Sequence, residues 1–148
     1  MTENIIETMT FNFALEIIKL CKKLKENKEY QFNNQLFRSG TSIGANVHEA
    51  ESAFSKREFV YKLSISLKEA RETRYWLLIL KESKTLDDKD IQHNLKEVES
   101  IFNILSRIIT TTKQKYDLNN FKSYILHFTS RNKNLQTKKG RILRPFLV

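Results

Sequence analysis

The chain has 148 residues, with three Gly, one Pro and one Cys, and 40% of its residues are hydrophobic. It carries 26 Lys plus Arg against 17 Asp plus Glu, a formal charge of +9. This composition excludes a disordered chain, a turn-rich β-sandwich and an intrachain disulfide, and it indicates one small helical domain. No apolar run approaches the roughly 18 residues that span a bilayer, and the N-terminus lacks the pattern of a signal peptide. We therefore expect a soluble, cytoplasmic protein.

Two amphipathic segments occupy the first third of the chain. Between Thr10 and Asn27 the apolar residues recur every three or four positions, which predicts the first helix. The same pattern from about Tyr30 to Phe54 predicts a second helix, with Ser55 as its break. Gly40 and Gly44 inside this helix cost about 1 kcal/mol each relative to Ala. They indicate either the close approach of another backbone or a local kink.

The third helix, about Lys56 to Ser83, has apolar residues on two sides. At 100° per residue, its inner face is predicted to hold Phe59, Leu63, Leu67, Ala70, Leu77 and Leu78. Almost opposite lie Tyr61, Ile65, Trp76 and Ile79. Because a bundle helix needs only one apolar face for its own core, we expect another copy of the protein to cover the second face. The alternatives are coverage by the C-terminal tail and simple surface exposure of these aromatic side chains.

The fourth helix begins after a loop that contains Asp87, Asp88 and Asp90, where acidic side chains suit the helix dipole. Its apolar stripe continues to about Tyr116. Four helices with short connections predict an all-α protein, an antiparallel up-and-down four-helix bundle over residues 1–118.

Residues 119–148 form a basic C-terminal extension. The extension holds seven basic residues and no acidic one, a net charge of +7, whereas residues 1–118 have a net charge of only +2. Such an asymmetry is typical of an arm that meets phosphate or another acidic surface, although basic tails also serve solubility alone. The candidate phosphate contacts are Lys133, Lys138, Lys139, Arg141 and Arg144. Tyr124 or Phe128 either stacks on an unpaired base or packs onto the bundle.

Motifs for catalysis or metal binding are scarce. The chain has no Gly-rich phosphate loop, no paired cysteines and no nucleophile elbow. His48 with Glu51 and Asp90 with His93 share helix faces, but a di-metal bundle requires inward carboxylates from all four helices. Cys21 lies on the apolar stripe of the first helix, where a packed thiol is expected. We therefore expect no metal, no cofactor and no enzymatic activity.

Arg74 falls beside Leu63 and Leu67 on the predicted inner face of the third helix. An unpaired buried charge costs several kcal/mol, so this guanidinium is expected to have a partner. We predict an ion pair with Glu51, or a neutral contact with Asn46, that fixes the register of the helices.

Two strings in the second and third helices are distinctive. Residues 38–46 read Arg-Ser-Gly-Thr-Ser-Ile-Gly-Ala-Asn, and residues 69–77 read Glu-Ala-Arg-Glu-Thr-Arg-Tyr-Trp-Leu. The chain from about Phe11 to Tyr116 resembles the small bacterial four-helix bundle proteins encoded within intervening sequences of 23S ribosomal RNA genes, also called S23 ribosomal proteins. The resemblance implies an antiparallel four-helix bundle that assembles as a homopentamer. Members of the family end near the close of the fourth helix, so the basic extension is an addition.

The resemblance also extends to a relative of this family. It implies kinship with the accessory variability determinant of diversity-generating retroelements, a pentameric barrel whose basic surface binds nucleic acid and a reverse transcriptase. It implies no catalytic residue.

Together, the residues and the resemblance predict a non-enzymatic oligomer that binds nucleic acid through a basic surface and tail. The expected partners are further copies of the chain and RNA or an RNA–protein complex, with no membrane. The alternative is a protein-interaction scaffold, in which the apolar residues 142–148 dock on a neighbour and the basic residues only keep the tail soluble.

Overall fold

The computed structural model describes residues 4–116. It contains four α-helices, α1 (Ile5–Glu26), α2 (Tyr30–Glu51), α3 (Lys56–Glu82) and α4 (Asp88–Lys115). Each helix packs on the one before it, and α4 closes the bundle against α1. Two contacts show that neighbouring helices run antiparallel. Asn4 at the start of α1 bonds to Glu51 at the end of α2, and Lys23 near the end of α1 pairs with Asp90 near the start of α4. The predicted all-α antiparallel four-helix bundle is confirmed.

Two helix boundaries differ from the prediction. Helix α1 begins at Ile5 rather than Thr10, and the Thr10 hydroxyl donates to the Ile6 carbonyl oxygen at 2.8 Å, which lets this polar side chain be buried inside a helix. Helix α2 ends at Glu51, so Phe54 is wholly exposed instead of continuing the apolar stripe. The chain then turns at Ser55, whose hydroxyl accepts a hydrogen bond from the Glu58 amide at 3.1 Å and caps α3.

The turns after α1 and α3 share one backbone conformation. Lys28 and Lys84 adopt left-handed conformations, with φ of 64° and 54°. The amide of the following residue then reaches back to the last turn of the helix, Glu29 to Leu24 at 2.9 Å and Thr85 to Leu80 at 3.3 Å. These contacts satisfy carbonyl groups that a helix end leaves without partners.

The core consists of aliphatic side chains from all four helices, with Phe13 as its aromatic member. Fully buried large side chains include Ile17, Leu24, Leu36, Ile43, Leu63, Leu77, Leu80, Ile91, Ile101 and Leu105. The buried arc of α3 also includes Ser66 and Thr73. The Ser66 hydroxyl donates to the Ile43 carbonyl oxygen of α2 at 2.8 Å, so a polar group in this arc joins the two helices.

Helices α1 and α2 approach closely at the two glycines of α2. A Cβ placed on Gly40 would lie 2.7 Å from the Cγ2 atom of Ile17, and one placed on Gly44 would lie 3.2 Å from the backbone carbonyl oxygen of Thr10. The latter separation is tighter than ordinary van der Waals contact, and a helix backbone moves less readily than a side-chain tip. Of the two alternatives left open for these glycines, the structure therefore shows the close approach of another helix.

We expect the Gly44→Val substitution to lower the free energy of unfolding by about 1–3 kcal/mol, because the added carbons force α1 and α2 apart. Urea denaturation at a fixed protein concentration measures this loss. The control is Gln35→Val at an exposed position of the same helix. An equal loss in both variants would mean that helix propensity, and not the interhelical contact, sets the cost.

Candidate nucleic-acid interface

The basic residues proposed for phosphate contact lie outside the described part of the chain. They are Lys133, Lys138, Lys139, Arg141 and Arg144, and the stacking candidates Tyr124 and Phe128 fall in the same segment. Within residues 4–116, candidate contacts for phosphate lie at the end of the bundle where α4 reaches Lys115 and Tyr116.

This end of the bundle brings lysines from two helices onto one aromatic ring. The Lys56 ammonium lies 5.5 Å from the centroid of the Tyr116 ring, and the Lys115 ammonium lies 5.6 Å from the same centroid. Lys56 also lies 5.6 Å from the Phe59 ring. Cation–π attraction holds the two like charges near each other, and a bound anion would relieve their repulsion. We call Lys56, Lys113, Lys115, Phe54 and Tyr116 the basic end.

Two aromatic side chains of the basic end are open to solvent. Phe54 is 100% exposed and Tyr116 is 45% exposed, although aromatic residues of this size are usually covered. Phe54 and Lys56, together with the Glu51 carboxylate, line a cleft of about 380 Å³ at the turn between α2 and α3. An open ring beside an ammonium group offers a surface for base stacking and a contact for phosphate.

Five other cations among the described residues are held in ion pairs with carboxylates. Ion pairs among the described side chains are Lys19–Glu16, Lys23–Asp90, Arg38 with Glu69 and Glu72, Lys62–Glu49 and Arg74–Glu99. These pairs include none of the three lysines of the basic end. Helix periodicity does not reveal this cluster, although the lysines next to Phe54 and Tyr116 in the sequence are a signal for it.

The apolar face predicted for oligomer contact is only partly open. Tyr61 is 64% exposed, whereas Ile65, Trp76 and Ile79 are half-buried within the single chain. The Trp76 ring meets Phe32 of α2 edge-on at 6.4 Å, and its indole N–H donates to Glu72 at 3.3 Å. Thus α2 covers part of this face, and its coverage by a second copy stays a prediction.

The predicted pairing of Arg74 with Glu51 is wrong. Arg74 is half-exposed at the rim between α3 and α4, where its Nε atom donates to Glu99 at 3.0 Å. Glu51 instead accepts a hydrogen bond from Asn4. The buried arc of α3 is centred nearer Thr73 than Arg74, and a long arginine side chain reaches water from the edge of a core. A pair this exposed contributes at most about 1 kcal/mol.

The residues considered for metal binding have other partners or lie apart. His48 Nδ1 lies 2.9 Å from the Glu7 carboxylate, and Asp90 pairs with Lys23. Over residues 4–116, no three His, Cys, Asp or Glu side chains come together in a group that would hold a metal ion. Cys21 is buried as expected, and burial raises the pKa of its thiol to about 11.

Arg38 joins α2 to α3 by bonding to two carboxylates. Its guanidinium donates to Glu72 and also contacts Glu69 at 3.5 Å. The hydrogen bond from Arg38 lowers the pKa of the Glu72 carboxyl below its usual 4.5, since it stabilises the ionised form. The same pair raises the pKa of Arg38.

The fold and the surface chemistry define a small all-α protein, an up-and-down bundle in which two lysines flank an exposed tyrosine ring at one end. The chain belongs to the 23S rRNA-intervening sequence protein family, whose sequence model matches residues 2–107.

A solved structure is similar over most of the bundle. It is a protein with unknown function from the S23 ribosomal protein family of Bacteroides thetaiotaomicron VPI-5482, 40% identical in sequence, with a TM-score of 0.69. The match covers 70% of this chain and 97% of that chain. No curated protein matched the sequence. Within the described helices, none combines the length and apolarity needed to cross a membrane.

We expect Glu72→Gln to flatten the acid dependence of stability. Because the folded-state pKa of Glu72 is lowered, its carboxylate contributes stability above the unfolded pKa near 4.5, and this contribution is lost as pH falls through the folded value. The variant should therefore be less stable at pH 7 and lose less stability on acidification. Melting temperatures between pH 7 and pH 3 test this, with Glu82→Gln, an exposed site on the same helix, as control. Parallel pH profiles for the native chain and Glu72→Gln would contradict it.

Proposed function

We propose that this protein is a cytoplasmic, non-enzymatic oligomer that binds RNA or an RNA–protein complex. The observation that carries the proposal is the basic end, where Lys56 and Lys115 flank the ring of Tyr116. In sequence, the chain continues from this point into residues 119–148, which carry a net charge of +7. Lys113 and Lys115 of the basic end therefore lie close in sequence to this charged segment.

The chemistry of binding is electrostatic. Ammonium groups that contact phosphates release condensed counterions, so affinity falls steeply as salt concentration rises. The lysines of the basic end form no ion pair with any described carboxylate of residues 4–116. They therefore bind an anion without first breaking an ion pair. Phe54, fully exposed beside Lys56, supplies a flat apolar surface on which an unpaired base stacks. This combination favours single-stranded or looped RNA over a regular duplex.

Oligomer formation strengthens the same mechanism. Membership in the family supports the pentameric assembly that the resemblance implies, in which five copies of the basic end and of the +7 extension act on one ligand. Multiple weak phosphate contacts on one assembly raise the overall affinity without any new contact per copy. The partly open face at Tyr61, Ile65, Trp76 and Ile79 is the surface we propose for contact between copies.

We expect Lys56→Gln/Lys115→Gln to bind a fluorescent single-stranded RNA more weakly than the native chain over a salt series. Losing two phosphate contacts should flatten the slope of log K against log salt by about 1.4, at about 0.7 per contact for single strands. The matched control is Lys22→Gln/Lys25→Gln, which removes the same charge from exposed residues at the opposite end of the bundle.

The control, a variant of the extension and a change of probe define the outcomes of this titration. An equal effect in the control would mean that net charge alone is sensed and that the basic end is not a site. Replacing Lys133, Lys138, Lys139, Arg141 and Arg144 by Gln tests the extension separately, and unchanged binding would remove it from the interface. Structured RNA and duplex DNA as probes test the preference for unpaired bases.

We expect Tyr61→Asp to lower the native mass of the protein, since it places a charge in the proposed contact between copies. Tyr61 is 64% exposed, so the substitution leaves the core of the single chain intact. The control is Tyr30→Asp, at a residue that is 53% exposed at the start of α2. Native mass spectrometry measures the assembly, and an unchanged mass for Tyr61→Asp would exclude this residue from the interface.

A second candidate function is a protein-interaction scaffold without nucleic-acid binding. It is favoured by apolar side chains that the bundle leaves open, among them Ile5 at 70%, Phe11 at 64% and Phe37 at 47% exposure. The salt titration separates the two functions, because a scaffold shows no salt-dependent affinity for any of the nucleic acids.

A further inference from the structure

A long groove runs along the outer side of the contact between α1 and α2. It has a volume of about 1040 Å³, and we call it the α1–α2 groove. Its lining residues are Asn4, Glu7, Thr8, Phe11, Ala14, Thr41, Gly44, Ala45, His48 and Glu51. The small residues of this set leave the space open, because Gly44 has brought the two backbones together and left no side chain to fill the cleft.

The groove is acidic at one end and apolar further along. Glu7 and Glu51 both line the groove at the end of the bundle where α1 begins and α2 finishes. Glu7 contacts His48, and Glu51 accepts a hydrogen bond from Asn4. One helical turn beyond Glu7 stands Phe11, 64% exposed over Ala14. Leu15, another turn further along α1, is 44% exposed. Such a surface fits a partner helix that carries a cation followed by apolar side chains.

The outer side of α3 has this pattern. Four exposed residues share one side of this helix, because the last three follow the first by 4, 11 and 18 positions. They are Arg57, Tyr61, Lys68 and Tyr75. The first turn presents a cation at Arg57, and the second presents an aromatic ring at Tyr61, with Ile65 one turn beyond it. Like the lysines of the basic end, Arg57 and Lys68 take part in none of the ion pairs found among the described side chains.

If the assembly is a ring, symmetry requires each copy to have two different contact surfaces, one for each neighbour. A closed ring of an odd number of identical copies cannot be built from one self-complementary patch, so each copy must contact its two neighbours through two distinct faces. This step rests on the proposed oligomer, which supplies one face on α3. The second face has to be apolar, exposed and complementary in charge to the first, and the α1–α2 groove meets these conditions.

We propose that the α1–α2 groove of one copy receives the outer side of α3 from the next copy. In this contact Arg57 faces Glu7 and Glu51, and Tyr61 packs against Phe11. The register follows from the fold, because α1 and α3 begin at the same end of the bundle and run in the same direction. Four residues rise about 6 Å along either helix, so the Arg57–Glu7 contact and the Tyr61–Phe11 contact form in the same register. One further turn along, the same register brings Ile65 to Leu15.

Disulfide trapping tests this contact directly. The full-length variants Phe11→Cys and Tyr61→Cys are each prepared alone and also refolded together, then oxidised and separated under denaturing conditions. The native Cys21 gives little background, because it is buried and its thiol pKa is raised to about 11. We expect a cross-linked dimer in the mixture and none in either variant alone. The matched control mixes Tyr30→Cys with Tyr61→Cys and should give no cross-link.

The remaining outcomes separate this inference from the proposed function. Cross-linking of one variant with itself would show a self-complementary interface and overturn the inference. A mixture that does not cross-link, while native mass still shows an oligomer, would also overturn it and leave the assembly standing. A monomeric native chain at all concentrations would instead remove the proposed oligomer, and this contact with it. Circular dichroism of each variant confirms that the fold is retained.

Discussion

The close contact of α1 and α2 is the constraint on which the rest of the bundle depends. Gly40 and Gly44 remove side chains from the line where the two helices meet, so Ile17 and the Thr10 backbone come within van der Waals distance of α2. The same approach carries Asn4 to Glu51 and His48 to Glu7. It also leaves a groove on the outer side, because a narrow contact between two round helices cannot fill the space beside it.

The position of α2 then determines how α3 is held. The Ser66 hydroxyl bonds to a carbonyl group of α2, and Arg38 reaches from α2 to two carboxylates of α3. Helix α3 is thereby turned so that Thr73 and Leu77 face the core and Tyr61 faces solvent. The orientation of α3 decides which aromatic side chains remain available to other molecules. Burial of its apolar arc sets that orientation, together with the polar bonds to α2.

Charged side chains of the bundle include two groups, those in ion pairs and those that lie over aromatic rings. Most ion pairs lie along the seams between neighbouring helices, where they neutralise both members and favour the antiparallel arrangement. Lys56 and Lys115 of the basic end depart from this pattern, because they lie over aromatic rings and form no ion pair with a described carboxylate. Cations held in this manner keep their charge available to an incoming anion, which is the physical basis of the proposed binding of RNA.

The sequence by itself determined the four helices and their antiparallel order, since these depend on local periodicity and short connections, but it left the two glycines open between a close contact and a kink. It also located the net charge in residues 119–148. Tertiary structure decided that Arg74 pairs with Glu99, that Phe54 lies outside the core, and that Lys56 meets Tyr116. The angular position of a side chain on a 27-residue helix depends on accumulated twist and on neighbouring helices, and residues distant in sequence meet only when the bundle closes.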